Sequence, residues 1–245
     1  HMVVPIDTLK SIVLGSVLAI ASSLPAMADT IYVSNEKDNT ISVVDGDTLT
    51  VTETIRVGRR PRGITFNHDM TQLYVCIGDE NRIDVIDLST NKVVSRLPSG
   101  PDPELFVHHP TENVLYVANE DDNMVSVVDT KERKILAEIQ VGVEPEGMGI
   151  SPDGKLLVNT SETTNMAHFI DTSTKEIVAN VLVDSRPRVA EFTSDGKHVW
   201  VSAEIGGTVS VIDSATRQPV KKIEFAVSGV SKEAIQPVGI QITKD

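Results

Sequence analysis

The chain is nearly devoid of cysteine. Cys76 is the single one in 245 residues. That excludes an intramolecular disulfide framework, a CxxC redox pair, a CxxCH haem attachment and a cysteine-rich zinc site. Basic residues are in deficit: 22 Lys and Arg face 35 Asp and Glu, a net charge of −13. So acidic a surface repels a phosphate backbone and argues against general nucleic-acid binding. No window carries a convincing helical period. With 40% hydrophobic residues and a mean hydropathy of −0.03, the chain is neither disordered nor a multi-span membrane protein. Its length suits one large domain with a full core.

The one apolar run, residues 11–24, is too short to span a bilayer comfortably. Pro25 and then Ala26-Met27-Ala28 follow it, the A-x-A pattern of a signal-peptidase site. We expect residues 1–28 to be a signal peptide removed before Asp29, and export to a bacterial periplasm. An N-terminal membrane anchor is the competing reading. The mature domain would be 29–245.

That domain is built on a repeat. The aspartates ending SVVD, DVID, SVVD, HFID and SVID are Asp45, Asp87, Asp129, Asp171 and Asp213, each 42 residues from the last. Pro61, Pro103, Pro145 and Pro187 keep the same 42-residue spacing. Pro237 lies 50 on, so the fifth copy carries an insertion between Phe225 and Gln236. Each copy reads as four short strands with period-2 alternation, β-branched residues and tight turns such as SPDGK at 151–155. Four antiparallel strands at this period predict an all-β fold, a β-propeller of four-stranded blades with five repeats present. The amino-terminal end supplies strands two to four of a blade, whereas PVGIQITKD ends after a first strand. Two readings stay open: the last segment completes the blade begun at Asp29 and closes a five-bladed ring, or it starts a further blade of a longer ring.

LYVAN at 115–119, with SVVD, VGVEPEG and SPDGK, resembles the YVTN family of β-propeller repeats. NEKDN, GRRPRGI, SGPDPELF, NEDDN, NTSETTNMAHFID, SAEIGGTVSVID and EAIQPVGI resemble one subfamily of it. These are the periplasmic β-propellers associated with PQQ-dependent catabolism. The resemblance covers 29–245 and implies a seven-bladed ring of which this sequence is a fragment. It further implies an accessory role beside quinoprotein alcohol oxidation, with no catalytic residue set to carry over.

In a blade, the fourth-to-first loops and second-to-third turns share one face. The proline loops there carry Arg59, Arg60 and Arg62, Asp102 and Glu104, Glu144 and Glu146, and Arg186 and Arg188. The neighbouring turns carry Glu36, Asp79, Glu80, Glu120, Glu162 and Glu204. Arg60, Arg62, Glu104, Glu146, Arg186, Arg188 and Glu191 are therefore the candidate ligand- or partner-binding residues. Arginines so placed can grip carboxylates in bidentate fashion, which makes the three-carboxylate quinone PQQ the candidate cofactor. The competing reading, and the favoured one, pairs them with neighbouring acids in blade-to-blade salt bridges. First-strand alternation points Thr65, Val107, Gly149, Glu191 and Gln241 into the channel. Of these Glu191 alone is ionisable, and neutralisation by Arg186 or Arg188 is its favoured reading.

His168, at an alternating polar strand position, is expected to be solvated. His68, His108, His109 and His198 lack metal-ligand spacing, and NEKDN and NEDDN lack the register of a Ca²⁺ loop, so no metal site is expected. The repeated aspartates read as turn formers and Cys76 as a small buried residue.

Three functions compete. The first is a non-enzymatic binding protein that engages a quinoprotein dehydrogenase, its cofactor or a small anionic ligand, as a monomer if the ring closes. The second is a propeller lactone hydrolase with Glu191 as base beside Arg186 and Arg188. The third, a haem d1 nitrite-reductase-type propeller, is set aside because axial histidines are not identifiable. An adhesion module is allowed by acidity and export but demanded by nothing.

Overall fold

The computed structural model describes residues 29–244, so the expected signal peptide lies outside the described residues. Five antiparallel sheets follow one another along the chain. The first has three strands, β1 (Thr30–Asn35), β2 (Thr40–Asp45) and β3 (Val51–Arg56). The second is β4 (Pro61–Phe66), β5 (Gln72–Ile77), β6 (Arg82–Asp87) and β7 (Lys92–Pro98). The third runs β8 (Pro103–His108), β9 (Val114–Asn119), β10 (Met124–Asp129) and β11 (Lys134–Gln140). The fourth is β12 (Pro145–Ile150), β13 (Leu156–Ser161), β14 (Met166–Asp171) and β15 (Glu176–Leu182). The fifth is β16 (Pro187–Phe192), β17 (His198–Ala203), β18 (Thr208–Asp213) and β19 (Pro219–Glu224). In the four complete blades the first strand is innermost, and β4, β8, β12 and β16 pack side by side. This is the β-propeller architecture the repeat predicts. No helix among the described residues is long and apolar enough to cross a membrane.

The two sequence landmarks have separate physical roles. Each strand-ending aspartate turns its carboxylate back on the following turn. Asp171 Oδ1 accepts the backbone N–H groups of Ser173 (2.8 Å) and Thr174 (3.1 Å), and Asp45, Asp87, Asp129 and Asp213 do the same in the other blades. Those bonds hold the Asp45, Asp87, Asp171 and Asp213 carboxyls below the usual range. Each proline opens an innermost strand. It lacks an N–H, and a register shift follows it in every complete blade, as between Pro145 and Met148.

Packing between blades is apolar and tight. Cys76 is fully buried there, and desolvation pushes its thiol well up, so it behaves as an inert small hydrophobe. Gly147 in β12 is needed for close approach: a Cβ there would overlap the Arg188 carbonyl oxygen of β16. Phe169, fully buried in β14, occupies the place held by Val43, Val85, Val127 and Val211 in the other blades. The facing first-strand position shrinks in compensation. Ala190 stands where the other blades have Ile64, Phe106 and Met148, and it shares one apolar cluster with Phe169.

Of the two open readings for the last segment, the structure does not contain closure onto β1. β1 pairs only with β2, and residues 225–244 hold a single 3₁₀ turn, Lys232–Ala234, and no strand. The Val238 carbonyl instead accepts a 2.6 Å bond from Ser202 Oγ on the outer side of the fifth blade. The corresponding bond one blade earlier, Thr160 Oγ1 to the Arg188 carbonyl (2.8 Å), ties β13 to the next innermost strand. Residue 238 thus lies where a following blade would start, beside β17 and not beside β1.

Candidate functional site

The charged loops meet at the inner rim of one face. Each is held by the same device. An asparagine in the second-to-third turn, Asn39, Asn81, Asn123 or Asn165, adopts a left-handed backbone. Its Oδ1 accepts the N–H of the residue just before the next proline. The bonds are Asn39–Arg60 (2.9 Å), Asn81–Asp102 (3.0 Å), Asn123–Glu144 (3.1 Å) and Asn165–Arg186 (3.1 Å). Those four charged residues are themselves left-handed, with φ from 50° to 60°. Such backbone costs about 1–3 kcal/mol per residue and persists only where the surroundings enforce it. These asparagines escaped the sequence reading, although they are 42 residues apart and the fifth copy has Gly207 in their place.

The side chains so placed form one ion-pair network reaching from the first blade to the fifth. Glu36 binds Arg62 (2.9 Å), and Arg62 and Arg60 both grip Glu104. Arg60 also holds Asp102 (2.5 Å). Arg62 reaches on to Glu146 (3.3 Å), which Arg188 takes from the other side (3.0 Å). Arg188 pairs with Glu162, and Arg186 bridges Glu162 (3.1 Å) and Glu204 (3.4 Å). Arg60, Arg62, Glu104, Glu146, Arg186 and Arg188 are therefore brought together, in the blade-to-blade pairing favoured from sequence.

Crowding gives the network unusual titration. Burial and the nearby Glu104 carboxylate push Asp102 up to about 6 and Glu120 up to about 7. Glu120 also shares a hydrogen bond with Glu104. Glu146 is raised as well, chiefly by burial and then by Glu104, against the pull of Arg188 and Arg62. Two guanidinium nitrogens, Arg60 Nε and Arg188 Nε, are buried without a hydrogen-bond partner. The network lines a hollow of about 230 Å³. A second hollow of about 420 Å³, walled by Glu120, Glu144, Glu162, Thr163 and Arg186, adjoins it.

Glu191 stands apart. It lies mid-strand in β16, opposite Trp200, half-buried, and desolvation raises its carboxyl. The expected neutralisation by Arg186 or Arg188 does not occur, because both arginines are engaged by Glu162, Glu204 and Glu146. His168 is likewise not solvated but buried. Its Nδ1 bonds Asn180 Oδ1 (2.7 Å), and its Nε2 meets the Gly142 N–H and Ser161 Oγ (both 3.0 Å). It secures the loop leading to Pro145, as Asp84 does two copies earlier for Gly58, through a 2.9 Å bond.

A family model described as "Cytochrome D1 heme domain" matches residues 110–237, more than half of the chain. The chain belongs to the cytochrome D1 heme domain family. The nitrite-reductase-type reading set aside on sequence thus returns at the level of family. Among solved structures, a chain of "Kuenenia stuttgartiensis Hydrazine Synthase" is similar at 26% identity with a TM-score of 0.70. The match covers 78% of this chain and 63% of that one, so the chain spans less than two thirds of that relative. No curated protein matches.

The family description names a heme, and the donor set can be tested against it. The 230 Å³ hollow is lined by glutamates and arginines alone, with no imidazole, thiolate or thioether to ligate iron. His168 has both ring nitrogens committed. His68, His108 and His198 lie at strand ends on the opposite face. Among the described residues, those at the mouth do not fit a heme.

Proposed function

We propose that this chain is a non-enzymatic binding propeller that serves quinoprotein alcohol oxidation as an exported accessory and engages carboxylates at the charged mouth. One observation carries the reading. Four arginines are held in a preorganised network whose acid partners include groups with raised pKa. Protonating Glu120 and Glu146 leaves Arg60, Arg62 and Arg188 with fewer resident counter-charges, and a ligand carboxylate can then take those donors in bidentate fashion. The link to PQQ and the periplasm rests on the resemblance of the loop sequences to PQQ-associated propellers.

Native mass spectrometry of the chain from Asp29, with and without PQQ, tests this. A stoichiometric adduct that the Arg186→Ala/Arg188→Ala variant loses is expected. A folded chain without an adduct rejects carboxylate capture of the cofactor.

Glu191 favours a second reading, lactone hydrolysis, because it is a half-buried carboxylate of raised pKa with no ion-pair partner. Turnover of a sugar lactone that Glu191→Gln abolishes would establish it. An inactive parent protein would end it.

A further inference from the structure

The face opposite the mouth carries a feature that the binding role does not use. His68, in the turn after β4, and His108, at the end of β8, stack with ring centroids 3.9 Å apart and planes 6° apart. They tie neighbouring blades in both directions. His68 Nε2 meets the His109 carbonyl across the interface (2.6 Å), and His108 Nδ1 faces the Phe66 carbonyl (3.4 Å). Carbonyls only accept, so each of these nitrogens carries a proton. His108 Nε2 is buried with no hydrogen-bond partner, and the edge of Tyr74 closes over that ring.

We propose that this stacked pair is an acid-sensitive latch between the second and third blades, closed while His108 is neutral and released when its buried Nε2 gains a proton. A second proton on His108 would place an N–H where no acceptor stands. Protonation of both rings would set two cations face to face at 3.9 Å. The surrounding charges do not rescue the cationic state. Asp69 is engaged by the Thr71 N–H and hydroxyl, Lys131 is positive, and His109 accepts backbone bonds from Thr111 and Glu112 through Nδ1. Burial, then His68, lower His108 to about 4. A group depressed in the folded state lends stability above its unfolded value near 6.5, and loses it as pH falls towards 4. Release would loosen the turns 67–71 and 109–113 and widen the hollow of about 300 Å³ beside them.

Hydrogen–deuterium exchange at pH 7 and pH 5, corrected for intrinsic rates, reads this directly. Segments 66–72 and 107–114 should exchange about tenfold faster at pH 5, the factor carried by one pKa unit of linkage. The turns at 171–175 and 213–217, on the same face and away from that hollow, should not change. The His68→Gln variant retains a donor for the His109 carbonyl but removes the ring stacked on His108, so it should flatten the difference while remaining folded at pH 7. Equal protection at both pH values would overturn the proposal. So would an unchanged pH response in both His68→Gln and His108→Asn, the second variant covering a failure of the first to fold.

Discussion

Replacing Glu104 by alanine is expected to lower the unfolding free energy by about 3–5 kcal/mol, the range for removing one partner of a buried ion pair. Glu104 is fully buried, and it is the shared acceptor of Arg60 and Arg62. Its loss leaves two adjacent guanidiniums facing each other with Asp102, Glu36 and Glu146 as remaining partners. The loss should be read by urea titration as a fall in midpoint at unchanged slope, since the fold itself is not altered. The double variant Glu104→Leu/Arg62→Leu should lose less than the two single changes summed, because the orphaned charge is removed with its partner. Additive losses would mean that the belt is a set of independent surface pairs.

Phe169→Ala is the second large effect, again about 3–5 kcal/mol. The ring fills the interior between the fourth and fifth blades, against Val158, Val181, Phe192 and Val201. Its counterparts are valines, and Ala190 has already given up volume to admit it. The neighbours therefore cannot collapse onto the space. Phe169→Ala/Ala190→Met should recover part of the loss by restoring the large–small pairing in the opposite sense. Chemical denaturation of the three proteins checks this, and no recovery would show that the two positions are not packing partners.

Much of the fold was legible because the repeat stamps the same physics five times. A turn-capping aspartate and a strand-opening proline each need a fixed residue type at a fixed place, so their spacing exposes the blades. The loop charges were legible for a similar reason. Alternating Arg-Pro-Arg and acid-Pro-Glu loops on adjacent blades can satisfy one another only across the interface, and Arg62, Glu104, Glu146 and Arg188 do so.

Single-residue departures were not legible. His168 shares its register with serines and an aspartate, and the assumption that polar means solvated failed there. That position faces the strand-two side chain and an N–H of the loop entering its own blade from the preceding one, not water. Glu191 looked paired because Arg186 and Arg188 are close in sequence, but at a strand start those arginines turn to the neighbouring turns instead. The asparagine ladder was visible as a 42-residue spacing, yet its meaning depends on left-handed backbone. The stack of His68 on His108 joins two blades, and nothing local in the sequence sets its geometry. The choice between closure and a longer ring was not legible, because a first-strand pattern names a kind of strand and not the sheet it joins.

Carboxylates are expected to enter the mouth when its own raised carboxyls are protonated. Calorimetric titration of the chain with PQQ at pH 6.0 and pH 8.5 tests it most directly. The ligand's affinity should be at least about tenfold higher at pH 6.0, since one pKa unit of differential protonation carries that factor. Glu146→Gln, which mimics the protonated group between Arg62 and Arg188, should raise the affinity at pH 8.5. Equal affinity at the two pH values, or tighter binding at pH 8.5, would contradict the account.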